Sequence, residues 1–192
     1  MNGSTEKRAR TKAALYDALI GLCEQKSYQK VRVLEIAQAA GVDKSTFYRY
    51  YSTKDELLRD IEDYYFEEIK ALNPSMTMLL SKIDSDDTEA LRSSLVKVLE
   101  FHLRYRKFTI FLLSPSGDPA FKHKLESSLM DTAQEALQMR GIAPSKFREY
   151  GSYFLIQGYY NTLWRWLKEQ DCPLEEFADY LMTYLTRVWF TN

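Results

Sequence analysis

The chain has 192 residues, 45% of them apolar and 28% charged, with a net charge of −1. That composition belongs to a globular protein with enough chain to bury its own core, and no run approaches the roughly 18 uninterrupted apolar residues of a membrane span. The near-neutral total hides a basic head on an acidic body: residues 1–54 hold ten Lys and Arg against five Asp and Glu, the remainder sixteen against twenty-two, as suits a head that meets a polyanion.

Apolar residues recur at helical spacing almost throughout, and no alternating β-branched run interrupts them, so the expected fold class is all-α. Helix one is predicted over about Lys7–Glu24, with Leu15, Ala18, Leu19, Leu22 and Cys23 on one face. Two short helices follow, about Val33–Ala40 and Lys44–Tyr50, with Leu34 and Ala37 facing a common core with Val42 and Phe47. Gly41 stands where a left-handed cap ends the first of these, and Asp43 stands at the N-cap of the second. A fourth helix opens at Ser52-Thr53-Lys54-Asp55 with Ser52 as its cap. It runs to Leu72, before the break at Asn73-Pro74. This divides the chain into a three-helix domain over 1–58, a connecting helix over about 52–72 and a helical domain over 74–192. After the polar stretch Ser81–Asp87, a helix around Thr88–Tyr105 and a short apolar piece, Phe108–Leu113, lead into the breakers of Ser114–Pro119. Helices are then predicted over Pro119–Met139, Pro144–Lys168 and Pro173–Phe190, each with proline near its first turn.

Two short helices joined by a tight glycine-containing turn form a helix-turn-helix, whose second helix enters the major groove. The outward residues fit: Lys44, Ser45 and Thr46 occupy the first turn, where the helix dipole favours phosphate. Tyr48 and Tyr50 offer phenol hydroxyls, Arg49 a planar donor fork, and Lys54 a cation to clamp backbone. Residues from about Arg8 to Leu58 resemble the DNA-binding domain of the tetracycline-repressor (TetR) family. The matching elements are Ile36-Ala37, Ala40-Gly41-Val42, Thr46-Phe47-Tyr48, the aromatic pair Tyr50-Tyr51 and Lys54-Asp55-Glu56-Leu57. The resemblance implies a homodimer on palindromic double-stranded operator DNA, usually a repressor released by a small-molecule effector. By position it assigns groove or phosphate contacts to Lys44, Ser45, Thr46, Tyr48, Arg49, Tyr50 and Lys54. It departs at Arg32, where a capping hydroxyl is common. Arginine holds the phosphate but cannot cap. It departs also at Asp43, usually serine, and at Ser45, often glycine. The run Phe111-Leu-Leu-Ser114 with Gly117-Asp118-Pro119, then Gly158, Trp166-Leu167 and Pro173-Leu174-Glu175-Glu176, is similar to a C-terminal domain of firmicute-type regulators.

The last two helices are dense in aromatics, and Gly151 and Gly158 lie seven apart on one face. Glycine inside a helix costs about 1 kcal/mol, so two matched sites point to another helix packing close. A dimer interface through Gly151, Gly158, Trp166, Tyr180 and Tyr184 is therefore expected, of the isologous kind that homodimers favour. His102, Tyr105, Phe111 and Phe154, with Phe108 and Met130, are candidates for an apolar ligand cavity with one polar anchor. The alternative is a body that docks a protein partner instead of a metabolite. Cys172 is a lesser candidate, for redox sensing. No Gly-rich phosphate loop, His-Glu-x-x-His or nucleophile elbow is present in the sequence, so no catalysis, metal or cofactor is expected. Met1–Arg8 lacks a signal-peptide core, and Cys23 and Cys172 fit no disulfide framework, so a cytoplasmic chain is expected.

Overall fold

The structure is a computed structural model that describes residues 2–72, 77, 88–114 and 117–190, and only the backbone of 2–4 and 185–190. Among these residues every element is a helix. In chain order they are α1 (Asn2–Gln25), a 3-10 turn (Tyr28–Lys30), α2 (Val33–Ala39), α3 (Lys44–Tyr50), α4 (Lys54–Lys70), α5 (Thr88–Arg104), α6 (Arg106–Leu113), α7 (Pro119–Met139), α8 (Lys146–Glu169) and α9 (Leu174–Phe190). The predicted Asn73-Pro74 break and the Ser81–Asp87 stretch lie outside the described residues. None of the described helices is long and apolar enough to cross a membrane.

α1, α2 and α3 form a three-helix head around Leu15, Leu19, Ile36, Ala37 and Phe47, all almost fully buried. Leu34 does not join this core: it is half exposed on the outer side of α2, and Ile36 takes the inward place beside Ala37. The turn after α2 is a Schellman motif. Val42 N–H donates to the Ala37 carbonyl (2.9 Å) and Gly41 N–H to that of Gln38 (3.1 Å), with Gly41 at φ +66°. Asp43 is the N-cap residue of α3 as expected, yet its side chain makes no capping hydrogen bond.

The cap of α4 sits one residue later than predicted. Thr53 Oγ1 accepts from Glu56 N–H (3.1 Å), and the Glu56 carboxylate accepts from Ser52 N–H (2.7 Å), so Ser52 is served by the box without capping the helix. Of the three prolines, only Pro119 sits in the first turn. Ser145, after Pro144, caps α8 through Arg148 N–H, and Pro173 precedes α9 and accepts from Phe177 N–H.

In the body, α5 packs on α9, and α8 packs on α6 and α7. Gly117, in the turn before α7, lies so close to α6 that a Cβ would stand 2.5 Å from the Leu112 carbonyl oxygen. The head is joined to the body by more than α4. α1 also packs against α6, Tyr16 and Phe108 meet edge to face, and one continuous apolar core runs from Leu15 to Leu181.

Candidate DNA interface and body cavity

α3 is anchored inward by Phe47, which is fully buried and packed edge-on by Tyr48. Its opposite face is exposed and carries Lys44, Ser45, Tyr48 and Arg49. The Arg49 guanidinium donates to Thr46 Oγ1 (2.8 Å), which holds the fork along the helix surface. Lys44 stands over the Tyr48 ring at 5.7 Å and Arg8 over the Tyr50 ring at 5.8 Å. Arg8, on α1, thus joins the same edge, although the sequence showed only a basic run without its destination. Arg32 is the N-cap residue of α2 and makes no side-chain cap. Glu35 accepts from its backbone N–H (3.0 Å) and weakly from its exposed guanidinium (3.4 Å). Lys26 and Arg32 together hold the Glu35 carboxyl down at about 2.

Lys54 does not reach outward. Its ammonium donates to three backbone carbonyls, Tyr28 (2.8 Å), Gln29 (3.1 Å) and Val31 (2.9 Å), and sits 4.4 Å from the Tyr28 ring centroid. An ammonium has three protons, and all three are engaged inside the chain. The expected backbone clamp is instead a pin that fixes the 3-10 turn to α4. A second pin escaped the sequence reading altogether. Asp60 Oδ2 accepts from Lys12 Nζ (2.6 Å), Tyr16 Oη (2.6 Å) and Tyr51 Oη (2.5 Å), joining α1, α4 and the end of α3. Burial opposes the charge there, but those hydrogen bonds outweigh it and keep the carboxyl below its usual range.

The body holds a cavity of about 300 Å³, open on one side, between α4, α5, α7, α8 and α9. Leu95, Leu125, Ile156 and Tyr160 line it, and among the described residues no Asp, Glu, Lys or Arg does. His102 is buried at its wall, and burial pushes its imidazole down to about 3, so it is neutral. Its Nδ1 bonds Tyr65 Oη (2.8 Å), while Nε2 has no partner. The Tyr159 hydroxyl, on the same wall, also lacks one. Phe154, Gly158, Tyr180 and Tyr184 form an exposed part of the lining.

Residues 15–61 match the family model for bacterial regulatory proteins of the tetR family. The segment that carries α2 and α3 is thus similar to the DNA-binding segment of that family. The chain is 29% identical over 122 residues to the HTH-type transcriptional regulator NfxB of Pseudomonas aeruginosa, which covers 59% of this chain and 58% of that protein. The curated relatives it matches are spanned for about half their length, 58% and 41%. Among solved structures, a TetR transcriptional regulator from Streptococcus agalactiae is 28% identical with a TM-score of 0.58, covering 97% of this chain and all of that one. FadR of Thermus thermophilus, a transcriptional repressor solved with lauroyl-CoA, is 23% identical with a TM-score of 0.54, covering 94% of this chain and 96% of its own.

Within this fold the expected contacts separate. Lys44, Ser45, Thr46, Tyr48, Arg49 and Tyr50 share α3, and the Lys54 ammonium is held by backbone carbonyls. Of the predicted cavity residues, His102 and Phe154 line the space. Tyr105 does not: its ring packs on Phe101 and Phe108 and its hydroxyl meets Tyr64 Oη at 3.1 Å. Phe111 is buried in the core elsewhere, Phe108 packs against the head, and Met130 borders a separate, more polar hollow. Tyr159 was missed because helical spacing alone does not separate a cavity wall from a helix–helix interface.

Of the predicted interface residues, Tyr180 and Tyr184 are half exposed, and a Cβ at Gly151 or Gly158 would meet nothing within 4 Å. Trp166 is a correction: it is 4% exposed, stacks on Phe177 with ring centroids 4.5 Å apart, and donates from Nε1 to the Cys172 carbonyl (3.0 Å). It belongs to the chain's own core. The Cys172 thiol is raised by burial and by Asp171 and Glu176, the reverse of what a redox sensor needs.

Proposed function

We propose that the chain is a homodimeric, cytoplasmic repressor that reads a two-fold symmetric operator and is released by a small molecule held in its body. Residues 1–58 serve as the DNA-binding domain, α4 as connector, and residues 74–192 as the dimerising and sensing domain. The observation that carries this reading is α3: Phe47 anchors one face, and Lys44, Ser45, Tyr48 and Arg49 stand on the other behind a Schellman turn. That geometry offers cations and hydroxyls together to a groove and its flanking phosphates. Thr46, Tyr50 and Arg32 flank these contacts, and Arg8 adds a further cation. The uncharged cavity and the neighbouring repressor's lauroyl-CoA support a body that takes an effector.

For assembly, Gly151, Gly158, Tyr180 and Tyr184 present a small-residue and aromatic face, with both tyrosines half exposed, suited to the same helices of a second copy. Selection from a random duplex pool followed by anisotropy titration tests the DNA reading. The expected product is a palindrome whose half-sites lie about 34–36 Å apart. Failure to bind any duplex refutes it.

A second reading, in which the body docks a protein partner, is favoured by Phe147, Tyr150 and Tyr153, which are 88%, 66% and 57% exposed. It predicts a stoichiometric complex in pulldown that Phe147→Ser abolishes, with DNA binding unchanged.

A further inference from the structure

The wall of the cavity carries a directional hydrogen-bond chain. Thr109 Oγ1 lies 3.2 Å from the Tyr105 carbonyl and donates its single proton there. Tyr65 Oη, 3.0 Å from Thr109 Oγ1, then donates to Thr109, and His102 Nδ1–H donates to Tyr65 across 2.8 Å. This order leaves a bare lone pair on Nε2. His102 and Tyr159 have ring centroids 6.3 Å apart, and the Tyr159 hydroxyl is likewise unpartnered. Two buried polar atoms without partners, on the wall of a largely apolar and uncharged space, are costly until something satisfies them.

We propose that the cavity selects an uncharged, largely apolar molecule bearing one hydroxyl, which donates to His102 Nε2 and accepts from the Tyr159 hydroxyl. The inference rests on the reading of the body as effector-binding and names the class of effector. A hydroxyl is the smallest group that both donates and accepts, so it meets both atoms at once. A sulfate, carboxylate or ammonium finds no countercharge among the described lining residues, and burying it unpaired is disfavoured. The chain His102–Tyr65–Thr109 joins α5, α4 and α6, so the ligand's hydroxyl lies one residue away from the helix that carries the head.

The chain has only two histidines, and His123 is exposed, so long-range proton–nitrogen NMR on histidine-labelled full-length protein reads His102 without ambiguity. In the free protein the Nδ1–H tautomer with an unbonded Nε2 is expected. Octan-1-ol should move the Nε2 resonance toward its hydrogen-bonded position and bind about tenfold more tightly than methyl octyl ether, which cannot donate. Octyl sulfate and octyltrimethylammonium should bind more weakly than either. Tyr159→Phe removes a donor that alcohol and ether oxygens both accept from, so it should weaken both and leave the preference in place. Tyr65→Phe, remote from the ligand, should weaken it by freeing the tautomer.

An Nε2–H tautomer, an Nε2 already hydrogen-bonded to water in the free protein, or equal binding of alcohol and ether overturns the hydroxyl assignment. If the ether binds as well, the cavity still takes an apolar effector and the proposed function stands. If no probe perturbs His102, the effector reading of the body falls with it, while operator binding tests the head separately.

Discussion

Lys54 illustrates how a single side chain changes meaning when its surroundings are known. Its three donors hold two carbonyls of the 3-10 turn and that of Val31 just after it, so Lys54→Met should cost about 1–3 kcal/mol of stability, the range for hydrogen bonds to a charged group. Thermal unfolding checks this: a lowered midpoint is expected, whereas a phosphate clamp would leave the midpoint unchanged and lose only DNA affinity.

Two other side chains oppose each other in pH dependence. His102 is depressed by burial to about 3, so between pH 6.5 and 3 the unfolded chain binds the extra proton and stability rises with pH. Glu62 is raised to about 7, by burial first and by Asp118 and Asp63 next. Between pH 4.5 and 7 the folded chain therefore binds the extra proton, and stability falls with pH. From pH 4.5 to 6.5 the two slopes cancel, and denaturant titration of the native sequence should find that window nearly flat. Glu62→Gln should unmask a rise of about 1.4 kcal/mol per pH unit. An unchanged profile in that variant would show that the two groups are not balanced.

At the scale of elements, glycine positions separate two jobs. Gly41 sits at φ +66°, where a side chain costs about 1–2 kcal/mol. Gly41→Val should thus weaken both folding and DNA binding by tilting α3. Gly151 and Gly158 are in ordinary helical backbone with open space around them. In a monomer, Gly151→Ala would stabilise α8 by about 0.5–1 kcal/mol. With a partner helix against that face, Gly158→Leu should dissociate the dimer, read by sedimentation as a fall toward 22.6 kDa. A variant that stays dimeric places the interface elsewhere.

The bounds of α3 and α7 were legible because Gly41 and Pro119 act locally, through a positive φ and a first-turn position that needs no N–H. The targets of Lys54, Asp60 and Trp166 were not legible. Each is fixed by a partner brought in by tertiary packing: a carbonyl 26 residues away, a lysine 48 residues away, or a ring on the next helix. Periodicity marks which residues of a helix share a face. It does not say whether a second element of the same chain covers that face, and for this reason Trp166 and Tyr180 were read alike.

For the whole molecule, the charge division sets how binding responds to salt. Arg8, Lys44 and Arg49 stand along the outer edge of α3, three cations for each subunit of the proposed dimer. Six phosphates neutralised by a dimer give a slope of log K against log salt near −5. Lys44→Ala should flatten it by about two, one phosphate from each subunit, and a slope near zero in the native protein would refute electrostatic contact.

The continuous core from Leu15 to Leu181, with α1 lying on α6, bears on modularity. A fragment ending at residue 58 would expose the apolar side of α1 that faces α6, including Tyr16 beside Phe108. Such a head should be poorly folded alone, and the intact chain should melt in one calorimetric step instead of two. Chimeras that swap heads between relatives would then need to carry Arg106–Leu113 along with the N-terminal helices. Substitutions at the outward residues of α3 should leave that shared core intact, whereas substitutions at the inward ones should disturb it.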